Sequence, residues 1–126
     1  MYVYFNPNPH GSNVGDCVIR AISKVLNQDW DTTYLDLVLV GYNLKDMPSA
    51  NYIWGTYLRE RGFNRYAIPN TCPDCYSVKH FCLDHPNGTY VLATGSHVIA
   101  VIDGDYFDSW DSGNEVPAYL FVKDKD

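Results

Sequence analysis

Long apolar runs are missing from this 126-residue sequence. The longest, such as Leu37 to Tyr42 and Tyr90 to Ala93, fall far short of the ~18 residues that a membrane-spanning helix requires, so no helical span is predicted. Basic residues are also few: nine Lys and Arg stand against fifteen Asp and Glu, a net charge of −6. No basic cluster is available to neutralise a phosphate backbone, which argues against nucleic acid as the principal partner. The opening Met1-Tyr2-Val3-Tyr4-Phe5-Asn6-Pro7 lacks a basic segment, an apolar segment and a small-residue cleavage site. No secretory signal is visible, and a cytoplasmic product is expected. Cysteine is scarce as well. Its four copies, Cys17, Cys72, Cys75 and Cys82, are read for a reducing compartment as free thiols, a metal site or a catalytic thiol rather than as disulfides. Internal repeats, low-complexity tracts and linkers are absent.

What is present suits one packed domain spanning residues 1–126. Hydrophobic residues make up 46% of the chain and aromatics 15%, enough to argue against disorder. A β-prone Tyr2 to Phe5 leads into a turn-rich loop, Asn6 to Asn13. Asp16 is placed to cap a helix to Leu26, because Val18, Ala21, Ile22, Val25 and Leu26 recur at helical spacing. A second helix is predicted from Asp31-Thr32 to Gly41, a third from Ser49 until Gly62 stops it, and a fourth from Ser77 until Pro86 stops it. A short extended piece lies at Arg65 to Ile68. From Thr89 the period changes, and Tyr90–Ala93, His97–Ile102, Asp105–Phe107 and Ala118–Val122 read as antiparallel strands. Asp103-Gly104 marks a hairpin between two of them. Helices first and strands second predict an α+β fold, a helical half packed on a carboxy-terminal antiparallel sheet.

Three residues carry the chemistry. Cys17, in the first turn of a helix, sits where unpaired N–H groups and the positive helix end favour the thiolate, and where the same groups suit a developing oxyanion. His97 opens an apolar strand after the Gly95-Ser96 turn. With a two-residue turn at Asp103-Gly104, Ile102 faces Asp105 and Ile99 faces Asp108, which brings Asp108 near His97. A carboxylate there can accept the imidazole N–H and support the imidazolium. Asp111 is a second candidate for that task. Trp110, two residues beyond Asp108, can wall the site from water.

The Gly15-Asp16-Cys17 helix start, the strand-initial His97 and the Tyr106-Phe107-Asp108-Ser109-Trp110-Asp111 stretch resemble the core of papain-like cysteine peptidases. The resemblance is nearest to compact bacterial and phage versions, including bacteriocin-processing peptidases. It implies Cys17 as nucleophile, His97 as general base and acid, and Asp108 as the orienting carboxylate, cleaving a peptide, isopeptide or related amide bond through a thioester without a cofactor. The family places a Gln about six residues before the nucleophile to complete the oxyanion hole; here that position is Gly11. Asn13, Asn8 and His10 are the alternative donors offered by the same loop. The expected partner is a peptide or protein substrate. An alternative function on the same scaffold is a phage-type binding or inhibitor protein with a vestigial triad and a host-protein target.

Cys72-Pro73-Asp74-Cys75 forms half of a tetrahedral zinc site, for which Cys82, His80 or His85 would have to supply the rest. The competing reading is a proline turn ahead of the fourth helix. A zinc-stabilised interaction module built on Cys72 and Cys75 is the third functional expectation.

Overall fold

An uninterrupted apolar strand such as Val98-Ile99-Ala100-Val101 can be satisfied only by cover on both faces. The computed structural model, which describes residues 1–71 and 73–124, provides that cover. Elements follow the order β1 (Tyr2–Tyr4), α1 (Cys17–Leu26), α2 (Trp30–Leu44), α3 (Asn51–Arg59), β2 (Phe63–Ala67), α4 (Val78–Asp84), β3 (Thr89–Ala93), β4 (Val98–Ile102), β5 (Asp105–Asp108) and β6 (Tyr119–Lys123). The six strands form one sheet in the order β1-β5-β4-β3-β6-β2. The fold is α+β.

The pleat of β3 and β4 divides the core in two. Val91, Ala93, Val98 and Ala100 face Val18, Ala21 and Ile22 of α1 and the Trp54, Tyr57 and Leu58 cluster of α3. Leu92, Ile99 and Val101 face the other way, onto Val78, Phe81 and Cys82 of α4. Helices α1 to α3 therefore cover one face and α4 the other. Among the described residues, no helix is long and apolar enough to cross a membrane.

The sheet is mixed, not purely antiparallel, and it draws on both halves of the chain. The β3–β4, β4–β5 and β3–β6 pairs are antiparallel. However, β2 joins the far edge antiparallel to β6, and β1 lies parallel to β5, with Tyr4 opposite Asp108. A parallel partner needs a long return path, which the whole helical half supplies. The hairpin follows the predicted register, with Ile102 opposite Asp105. Its turn places Asp103 at φ 49° and Gly104 at φ 81°, the left-handed pair that a two-residue hairpin prefers.

Helix boundaries differ from the sequence pattern at α2. Asp29 is its cap, accepting from the Thr32 N–H at 2.8 Å, and the helix runs through Gly41 to Leu44. Gly41 serves close packing instead of termination: a Cβ there would lie 2.7 Å from the Asp46 carbonyl oxygen where the chain turns back. At α4, Ser77 caps by a reciprocal box with His80.

Candidate active site

Helix α1 points its first residue at the β3–β4 turn because its apolar stripe is pinned to β4. Asp16 occupies the cap position but makes no side-chain cap hydrogen bond. Its carboxylate turns inward instead, accepting from Arg20 Nη1 at 2.6 Å and from Trp30 Nε1 at 2.9 Å. The first-turn N–H groups are thereby left to other acceptors near Cys17.

The turn that carries His97 is closed by Thr94. Its N–H donates to the His97 carbonyl at 2.9 Å, and its Oγ1 accepts from the N–H groups of Ser96 and His97 at 3.1 and 2.9 Å. Asp108 is fixed from the opposite side by β1: its carbonyl accepts from the Phe5 N–H at 2.8 Å and from the Tyr2 hydroxyl at 3.1 Å. Strand pairing and a capped turn thus deliver the imidazole and the carboxylate to one place. His97 Nε2 donates to Asp108 Oδ2 at 2.6 Å, which leaves Nδ1 as the ring nitrogen for Cys17. Asp111 does not take this role, since its carboxylate accepts from Tyr106 and from the Gly113 N–H.

Asp108 is fully buried, and a buried carboxylate needs complete compensation. Oδ2 also accepts from Ser112 Oγ at 2.6 Å. Oδ1 accepts from the Ser109 N–H at 2.8 Å and from Arg20, at 3.1 Å from Nε and 2.9 Å from Nη2. Burial would raise its pKa, but the hydrogen bonds from His97 and Ser112 and the charges of His97 and Arg20 hold it below the usual carboxylate range. Arg20 and Ser112 were not singled out from the sequence. The signal for Arg20 was its position, four residues after Asp16 and three after Cys17, on the helix that carries the candidate nucleophile. Ser112 carries no comparable signal.

The pair above this carboxylate is polarised. Burial lowers the His97 pKa, yet the hydrogen bond and charge of Asp108, together with the Cys17 side chain, raise it to about 9. For Cys17, burial acts upward. It is outweighed by the His97 side chain, the Val98 backbone and the charges of His97 and Arg20, so the thiol lies below its usual range. A lowered thiol beside a raised imidazole is the arrangement of a thiolate–imidazolium pair. Trp110 covers the ring, its centroid 4.9 Å from that of His97.

Two clefts meet at Cys17 and His97. One, of about 450 Å³, is mostly apolar and is walled by Val18, Ile19, Tyr34, Leu37 and Pro48. The other, of about 530 Å³, is lined by Asn13, Ser96, Ser109 and Trp110. Of the three loop residues with an oxyanion-donor expectation, Asn13 lines this second cleft, whereas Asn8 and His10 line neither. The Asn8 Oδ1 is engaged within its own loop, accepting from the N–H groups of His10 and Ser12. His10 is exposed.

Cys75 and Cys82 line neither cleft. Cys72 falls outside the described residues, and Cys75 is exposed. Cys82 is buried against Val78 and Phe81, His85 stacks on Phe81, and His80 belongs to the α4 cap. Among the described residues, no group of three or more His, Cys, Asp or Glu side chains converges as a metal-binding set. Compared with known proteins, the chain matches no family model, no curated protein and no solved structure.

Proposed function

We propose that the protein is a papain-like thiol hydrolase that cleaves a peptide, isopeptide or related amide bond. The observation that carries the reading is the line from Cys17 to His97 to the buried Asp108, with the thiol lowered and the imidazole raised. The Cys17 thiolate adds to the carbonyl carbon, and the negative charge that develops on oxygen meets the first-turn N–H groups and the Asn13 side of the cleft. The His97 imidazolium gives its proton to the leaving amine as the C–N bond breaks, which leaves a thioester on Cys17. His97, now neutral, takes a proton from water as water attacks the thioester. The carboxylic acid departs and the Cys17–His97 pair is restored. Asp108 holds the imidazole in the required tautomer throughout. Each step uses side chains already present, so the mechanism needs no cofactor.

Clefts on both sides of Cys17 suit an extended chain that crosses the nucleophile, with an apolar side chain seated beside Tyr34 and Leu37. Net negative charge favours neutral or basic segments through long-range steering. Incubation with a mixture of unstructured peptides, read by mass spectrometry, tests the proposal. The native protein is expected to yield new termini that Cys17→Ala does not. Rapid labelling of Cys17 by an electrophile without any cleavage would contradict the hydrolase reading and favour a binding protein that retains the pair.

A further inference from the structure

We propose that Arg20 is the positioning residue of this site: one guanidinium, clamped between two buried carboxylates, commits Oδ1 of Asp108 and so reserves Oδ2 for His97. The inference rests on reading Cys17 and His97 as the reactive pair. Arg20 and Asp16 are each 5% exposed, and Asp108 is fully buried. Such burial of a charge is tolerated only with near-complete pairing. All three guanidinium nitrogens are used, and they are divided between the partners. Nε and Nη2 go to the same oxygen of Asp108, and Nη1 goes to Oδ1 of Asp16. Trp30 occupies the second oxygen of Asp16, so this carboxylate cannot rotate to draw Arg20 away.

Consequently the two oxygens of Asp108 do different work. Among the described residues, Oδ1 is engaged by Arg20 and the Ser109 N–H, and Oδ2 receives only His97 and Ser112. The planar fork of arginine suits this division, because it spans two acceptors at fixed angles. Lysine would supply the charge at a single point. Arg20 also lies one helical turn from Cys17, so the nucleophile and the clamp move as one body while His97 arrives from the sheet. Trp30 stacks on Tyr34, with centroids 5.0 Å apart, and Tyr34 lines the apolar cleft. The clamp is thereby braced against the substrate-side wall.

The test compares native protein with Arg20→Met and Arg20→Lys, each first checked for native near-ultraviolet circular dichroism. Two quantities are read: the rate of Cys17 alkylation against pH, by peptide mapping, and the titration of the Asp108 carboxylate by ¹³C NMR. In Arg20→Met the Asp108 midpoint is expected to rise, and Cys17 to alkylate roughly threefold to tenfold more slowly at pH 6, since each pKa unit is a factor of ten. Arg20→Lys is expected to show the same two changes at smaller size, and it decides the matter if the Met variant does not fold. An Asp108 midpoint that stays put in a folded variant would overturn the proposal. So would a moved midpoint with Cys17 reactivity unchanged, the signature of a merely structural ion pair. A native Cys17 no more reactive than Cys82 would overturn the hydrolase reading itself, visible before any variant is compared, and would take this inference with it.

Discussion

Cys17 and Cys82 are carried by helices that pack on opposite faces of the same sheet, and burial pushes both thiols upward, yet they end in opposite states. At Cys82, the fifth residue of α4, the neighbours are Val78, Phe81 and Tyr106, and burial keeps the thiol raised. At Cys17, the first residue of α1, a polarised imidazole, the Val98 backbone and a buried arginine reverse the sign. Shielding from water is thus common to the two sites and decides nothing between them. The difference lies in what the low-dielectric surroundings contain, because fixed charges and donors act more strongly there than in water. An identical side chain has its thiol raised on one face and lowered on the other.

Breaking that contrast at its electrostatic root is expected to have the largest effect. Asp108→Asn keeps the shape of the side chain but removes the charge that supports the His97 imidazolium and pairs Arg20. Turnover of a cleavable peptide should fall on the order of ten-thousandfold. The melting temperature should fall as well, since leaving a buried partner unpaired costs about 3 kcal/mol or more. Steady-state kinetics and calorimetry on the same preparation check both, and full retention of turnover would remove Asp108 from the mechanism. Ser112→Ala sharpens the comparison more gently. It deletes one charge-assisted hydrogen bond to the Asp108 Oδ2 (2.6 Å), worth about 1.5–3 kcal/mol. The carboxylate stays paired with Arg20 and His97, so turnover should drop about tenfold and Cys82 should remain as inert as before.

The contrast was partly legible in the sequence, for local reasons. Cys17 lies at a helix start, His97 at a strand start, and Asp103-Gly104 fixes a two-residue hairpin whose register carries Asp108 toward His97; each is set by neighbours within a few residues. Cys82 could be read as buried because it shares a helical face with Val78 and Phe81. What escaped depends on distant partners. The Arg20 side chain meets not only the nearby Asp16 but also Asp108, 88 residues away, and a charged residue on a helix otherwise reads as solvated. Asp16 was expected to cap α1 and instead serves Arg20 and Trp30. The parallel placement of β1 beside β5 rests on the return path of the entire helical half, which no local pattern records. Likewise, Asn8, His10 and Asn13 could not be ranked as oxyanion donors until the loop had a conformation, which brings only Asn13 to the cleft.

The most direct test of the central claim is the pH profile of iodoacetamide alkylation at Cys17 and Cys82 in one sample, read by peptide mapping, in the native protein and in His97→Ala. Cys17 is expected to reach a reactive plateau below the ordinary thiol range, because the imidazolium stays protonated up to about pH 9 and stabilises the thiolate throughout that window. Cys82 should react only well above that range. Removing the imidazole should carry Cys17 upward toward Cys82 and leave Cys82 unmoved. Coincident profiles for the two cysteines in the native protein, or a Cys17 profile indifferent to the loss of His97, would contradict the account.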